Sequence, residues 1–310
     1  MNKVINCGSL NIDYVYRVPH IVFPGETISS GEYNRYCGGK GANQSIALAR
    51  AGIEVKHVGQ IGKDGVFLKD ELKASGVEVE YIFIGKEPTG HAIIQVAEDG
   101  ENSIVLFPGA NHKITKRQLD SVFDSAVPDD IMLIQNETNI NGYIIEKSFD
   151  KSMTICLNPA PYDESVKRLP LDKVDILIIN EIEGYGLSGC RTEAEIMENL
   201  SNKYPNTIVV MTLGKKGAVC SSGGQLFRAP GFRVNTIDAT AAGDTFIGYF
   251  LSGRIRGYEI CECLNLACAA ASLATTRHGA AASIPSWNQV EKHMIGVKNK
   301  YDFINSKMKK

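Results

Sequence analysis

Val174-Asp175-Ile176-Leu177-Ile178-Ile179 is an almost unbroken apolar run, and it stops abruptly on Asn180-Glu181-Ile182-Glu183. A strand with one wet face alternates apolar and polar residues, whereas a strand covered on both faces does not. The same shape recurs at 4–7, 55–61, 131–135, 153–157, 207–213 and 218–220. Segments with helical periodicity lie between these runs, at 67–74, 140–147 and 193–203. Apolar strands separated by helices predict an α/β fold, an αβα sandwich around a mostly parallel central sheet.

Two regions break the pattern with period-two alternation. His91-Ala92-Ile93-Ile94-Gln95-Val96-Ala97 meets the acidic turn Glu98-Asp99-Gly100-Glu101-Asn102, then Ser103-Ile104-Val105-Leu106-Phe107. This reads as a β-hairpin. Residues 12–18 and 28–36, on either side of Pro24-Gly25, read as a companion pair of strands. Segments 12–36 and 89–107 are therefore expected to form a small β-sheet lid. The α/β core then comprises 1–11, 37–88 and 108–310.

Bulk properties narrow the function. The chain has 310 residues, a formal net charge of −2 and 44% hydrophobic residues. That balance gives no electrostatic reason to expect nucleic acid or a membrane surface as partner. No apolar stretch approaches the roughly 20 residues of a membrane span. Met1 to Asn6 leads straight into a strand without a leader-like run, so a cytoplasmic protein is expected. The eight cysteines are scattered, with no pair of pairs at zinc-ligand spacing, and read as structural thiols. Lys307-Met308-Lys309-Lys310 reads as a frayed basic tail.

Chemistry concentrates where strands end. Asp238-Ala239-Thr240-Ala241-Ala242-Gly243-Asp244-Thr245 places small residues before an acidic one, where an amphipathic helix begins. A helix start offers unpaired N–H groups to an anion, and Asp244 can accept a proton. The competing reading makes Asp244 a helix cap. Cys37-Gly38-Gly39-Lys40-Gly41-Ala42-Asn43-Gln44 lets backbone approach a ligand, with Lys40 and Asn43 as donors. It is not a Walker A loop, since Gly41 stands where Ser or Thr is required. Asn11 and Asp13 follow the first strand and suit neighbouring sugar hydroxyls, or else form a turn. Glu137, Glu181 and Glu183 also follow strands, where a carboxylate can bind a hydroxyl or help hold hydrated Mg²⁺. Thr212-Leu213-Gly214-Lys215-Lys216-Gly217 makes a tight basic turn suited to nucleotide phosphate or ribose.

Gly38 to Gln44, Asn158-Pro159-Ala160-Pro161, Asn180-Glu181-x-Glu183, Thr212-Leu213-Gly214-x-x-Gly217 and Ala241 to Phe246 occur in an order that resembles the ribokinase-like (PfkB) carbohydrate kinases. The likeness runs from about residue 3 to 290. It is nearest the ribokinases through Ser9 to Asp13, Gly109-Ala110-Asn111 and Thr276 to Ala281. The resemblance implies ATP-dependent phosphorylation of a sugar's primary hydroxyl. Asp244 would be the base, with the Ala242 and Gly243 amides as the anion hole. Asn11, Asp13, Gly39, Lys40, Asn43 and Glu137 would hold the sugar. Asn180, Thr212, Gly214, Gly217 and Gly243 would meet the nucleotide, with Cys268 near the adenine and Glu183 supporting Mg²⁺. Asp238, Thr240, Ala274, Arg277, Gly279 and Ser283 would match an activating K⁺ site. A homodimer joined through the lids is also implied. Ala239, Ala241, Asn136 and Cys268 depart from common family residues, which leaves the sugar open. Another furanose, a ketohexose, a nucleoside, or a non-catalytic sugar-binding regulator on the same fold are the competing readings.

Overall fold

The computed structural model describes residues 3–296, so the basic run at 307–310 and Met1-Asn2 lie outside the described residues. Nine strands form the main sheet: β1 (Val4–Cys7), β4 (Val55–Ile61), β5 (Ile82–Ile84), β8 (Ile131–Gln135), β9 (Thr154–Asn158), β10 (Ile176–Asn180), β11 (Ile208–Thr212), β12 (Gly217–Ser222) and β13 (Gln225–Pro230). Their order is β13-β12-β11-β10-β9-β8-β1-β4-β5. Every pairing from β11 to β5 is parallel, and only the β11–β12 and β12–β13 pairings at the edge are antiparallel.

The unbroken apolar runs are explained by two cores, one on each face. In β10, Ile176 and Ile178 enter one core, while Leu177 and Ile179 enter the other. Helices α1 (Lys40–Arg50), α2 (Val66–Ala74), α7 (Ala242–Ile255) and α8 (Ile260–Ala274) cover the first face. Helices α3 (Lys116–Phe123), α4 (Asn141–Asp150), α5 (Glu181–Ser188) and α6 (Glu193–Lys203) cover the second. Period two in a doubly covered strand thus feeds two hydrophobic layers instead of one layer and water.

A second sheet of four strands, in the order β3-β2-β6-β7, is built from β2 (Asn11–Val18), β3 (Glu32–Gly38), β6 (Gly90–Ala97) and β7 (Asn102–Phe107). The β6–β7 pair is the antiparallel hairpin expected from the acidic turn. The third strand starts at Glu32 and not at 28, because its partner β2 ends at Val18. Pro19 follows and has no N–H to continue the ladder. The strands expected at 153–157, 174–179 and 207–213 shift by one or two residues, ending in Asn158, Asn180 and Thr212. Those polar ends matter: parallel pairing sets Gln135 beside Asn158 and Asn180 beside Thr212, on one edge of the sheet. Among the described residues no helix is long and apolar enough to cross a membrane.

Candidate active site

Helix α7 begins directly above that polar edge. Its N-cap is Ala241, held left-handed at φ 59°, so Asp244 is the third residue of the first turn and not the cap. The Asp244 side chain leaves the helix end altogether. Asn43 Nδ2 donates to its Oδ2 at 3.0 Å and Gln44 Nε2 donates to its Oδ1 at 2.9 Å. Both donors come from α1, so the glycine-rich segment and α7 meet at one carboxylate. Of the amides before it, Ala242 N–H donates to Ala239 O at 3.2 Å. The next N–H, on Gly243, has no partner within the described residues and opens toward the cavities described below.

Charge gathers around this point. Burial pushes the Asp244 carboxyl above its ordinary range; Lys40 and the two amides pull it down, and Glu137 adds to the rise. Lys40 is held above its ordinary value: burial opposes its charge, but Asp244, Glu137, Glu183 and Asp13 outweigh that cost. Asp13 is pushed up to about 7 by burial first and Glu137 second, with Lys40 acting against both. Burial likewise raises Glu183, with Asn180 and Lys40 opposing. One lysine among four carboxylates favours the arrival of further positive charge.

Glu137 braces the glycine-rich segment. Its Oε2 accepts from Ser9 Oγ and from the Lys40 amide at 3.0 Å, while Ser9 Oγ in turn accepts from Gly41 N–H. Asn11 Oδ1 accepts from Asn111 Nδ2 at 2.8 Å, which locks the start of β2 to the Gly109-Ala110-Asn111 turn. Asp13 lies against Gly38, Gly39 against the Asn11 amide, and Lys40 against Glu137, while Asn43 joins this group to Asp244. Asn180 and Glu183 show a function that the sequence signal also carries. They form a capping box on α5, in which Asn180 Oδ1 accepts from the Ile182 and Glu183 amides and Glu183 Oε2 accepts from Asn180 N–H.

Two cavities adjoin at Thr212 and Gly243. The larger, about 530 Å³, is lined by Thr212, Gly214, Gly217, Gly243, Cys268 and the segment from Gly231 to Thr236. That last segment carried no motif and was missed in the sequence; only its neighbour in space, the turn at 212–217, announces it. The smaller, about 180 Å³, holds Lys40, Asn158, Asn180, Glu183, Gly243 and Asp244. A long groove opening into a charged pocket at a helix start suits a nucleotide with its phosphates inward.

Next to the groove, Asp238 ties two loops together. Its Oδ1 accepts from Thr240 N–H and Oγ1, and its Oδ2 accepts from Gly279 N–H at 2.9 Å. Burial opposes the charge, but these donors and His278 hold Asp238 below its usual range. Arg277 N–H turns back to the Ala274 carbonyl, and Ser283 Oγ donates to Ala280 O, so the predicted cation residues lie along one pair of loops.

A family model described as pfkB family carbohydrate kinase matches residues 1–287. The chain is 35% identical over 303 residues to the ribokinase of Staphylococcus aureus, covering 93% of this chain and 98% of that one. It is 36% identical over 288 residues to the ribokinase of Haemophilus influenzae, covering 90% and 94%. The solved Arabidopsis thaliana ribokinase complexed with ribose and ATP superposes with a TM-score of 0.84 at 30% identity, covering 94% and 99%. The chain belongs to the pfkB carbohydrate kinase family and is an ATP-dependent sugar kinase.

Proposed function

We propose that this kinase is a ribokinase, moving the ATP γ-phosphoryl group to the 5-hydroxyl of D-ribose. The observation that carries the reading is a buried carboxylate, Asp244, in the small polar pocket that adjoins a nucleotide-sized groove. Asp244 accepts the hydroxyl proton as the oxygen attacks phosphorus. The Gly243 N–H, with Ala242 beside it, faces the charge that develops on the transferring group, and Lys40 neutralises it. Asn11, Asp13, Gly39, Asn43 and Glu137 hold the sugar, of which Asn43 also touches the base. Thr212, Gly214, Gly217 and Cys268 line the nucleotide groove. The small sheet acts as a lid, spanning 12–36 and 89–107, and excludes the water that competes as acceptor.

Mg²⁺ fits the smaller pocket by donor chemistry, since Asn180 and Glu183 offer hard oxygen there. Among the described residues no three metal-ligating side chains converge, so phosphate oxygens and water would supply most of its ligands. Bound there, Mg²⁺ would neutralise phosphate charge. K⁺ would be held along the loops that Asp238 ties together, where this carboxylate and the oxygen atoms of Thr240, Ala274, Arg277, Gly279 and Ser283 are the donors on offer.

ADP release with MgATP across D-ribose, deoxyribose, fructose and a ribonucleoside tests the reading. The highest kcat/KM is expected with D-ribose, and faster turnover in K⁺ than in Na⁺. A preferred sugar other than ribose overturns the substrate, and equal rates in both salts remove the cation site.

A further inference from the structure

Gln44 stands apart among the groups around Asp244 because it is fully buried and can touch neither sugar nor nucleotide directly. Its carboxamide makes three bonds. Nε2 donates to Asp244 Oδ1 at 2.9 Å and to Asn158 Oδ1 at 3.2 Å, and Oε1 accepts from Gln135 Nε2 at 2.7 Å.

The direction of this amide is set from behind. Gln135 spends its other N–H on Asn6 Oδ1 at 2.9 Å, and Asn6 Nδ2 donates to Gly41 O and Ser45 Oγ, both at 2.8 Å. Asn158 Nδ2 donates to Ile178 O, which leaves Asn158 Oδ1 as an acceptor. Asn6, Gln44 and Asn158 each present an oxygen to the next donor in the row. Gln135 turns its Nε2 to both of its neighbours and leaves its buried Oε1 without a partner among the described residues. With those directions fixed, only one orientation of Gln44 satisfies Gln135, Asn158 and Asp244. An ionised carboxylate only accepts, so a flipped Gln44 would set oxygen against oxygen.

We propose that Gln44 is a positioning residue for catalysis: held by Gln135 and Asn158, it fixes the Asp244 carboxylate through Oδ1 and leaves Oδ2, on the Asn43 side, to take the hydroxyl proton. The proposal rests on Asp244 being the base. The row of buried amides joins the ends of β1, β8 and β9 to the first turn of α7, so the rigid centre of the sheet sets the angle of the base. The groups that face Asp244 are Lys40 and Asn43 from α1, Glu137 after β8 and Glu183 from α5. Replacing Gln44 leaves all of these in place.

Gln44→Met keeps the volume and removes the donor. Its kcat is expected to fall about 10- to 100-fold, with the KM values for sugar and ATP within about threefold. The acid limb of the kcat–pH profile should move to higher pH, because the ionised base has lost a donor. Gln135→Met does not touch Asp244, yet frees Gln44 to flip, so a smaller change in the same direction is expected. In the wild type, the Gln44 side-chain amide resonances should titrate together with that acid limb, a readout that needs no variant to fold. An unmoved acid limb with unchanged kcat in either folded variant, or Gln44 resonances that do not follow the limb, overturns the proposal. If Asp244→Asn keeps the wild-type rate, the base assignment fails instead, which separates the two failures.

Discussion

Asp13 shows at the scale of one residue how a binding group is held at a cost to stability. Its carboxyl, ordinarily near 3.8, is pushed up to about 7 by burial and by Glu137, with Lys40 only partly offsetting them. Between those values the folded chain binds the proton and the unfolded chain does not. The stability this group contributes is therefore complete below its unfolded pKa and is lost as pH rises through about 7. Asp13→Asn should gain in urea midpoint over the wild type, with a gap that widens from about pH 5 to about pH 8. The same variant should raise the KM for sugar. Equal midpoints across that range would show that Asp13 ionises in the folded chain as it does in the unfolded one.

At the scale of elements, the glycine-rich segment and the start of α7 use glycine for opposite reasons. A Cβ on Gly41 would sit 2.5 Å from the Gly8 carbonyl carbon and closer still to the Ser9 amide, all backbone that cannot give way. Gly41→Ala is expected to lose about 1–3 kcal/mol or more of stability, together with activity, as α1 is forced off β1. A Cβ on Gly243 meets nothing within 4 Å. Gly243→Ala should therefore fold with an unchanged or slightly higher Tm, yet lose kcat where its Cβ intrudes on the phosphoryl position. Thermal melts and steady-state kinetics on the pair distinguish packing from chemistry; an active Gly243→Ala would remove that amide from the site.

The elements were largely legible because their signals are local. Doubly covered strands, the hairpin at 90–107 and the polar strand ends are all read from neighbouring residues. The Asn-x-x-Glu capping box at 180–183 was equally local, and it explains side-chain bonds that a purely ligand-centred reading leaves out. What stayed hidden is long-range. Gln44 meets Asp244 across 200 positions and Asn158 across 114, so nothing in the Gly38–Gln44 motif shows what its last residue touches. The groove wall at 231–236 carries no motif and depends on where β13 leaves the sheet.

At the scale of the whole molecule, the small sheet leaves an apolar surface uncovered. Ile104, Val105, Leu106 and Phe107 are all exposed, as are Ile93 on the adjoining β6 and Tyr33 and Tyr36 on β3 at the opposite edge. A flat apolar sheet with an open β7 edge invites a second copy. We propose that two chains associate through these lids. Sedimentation should report a two-chain particle for the wild type and a single chain for Val105→Lys with an unaltered far-UV spectrum. A monomeric wild type would contradict the association.

All three scales meet at Asp244, the carboxylate that the sheet edge, the glycine-rich segment and α7 jointly hold. The most direct measurement is kcat for Asp244→Asn with D-ribose and saturating MgATP. The substitution keeps size and removes the proton acceptor, so kcat should drop by about 10²-fold or more, while the KM for ribose changes little. A variant that turns over at the wild-type rate would contradict the account, leaving Asp244 as an anchor for α1 and no more.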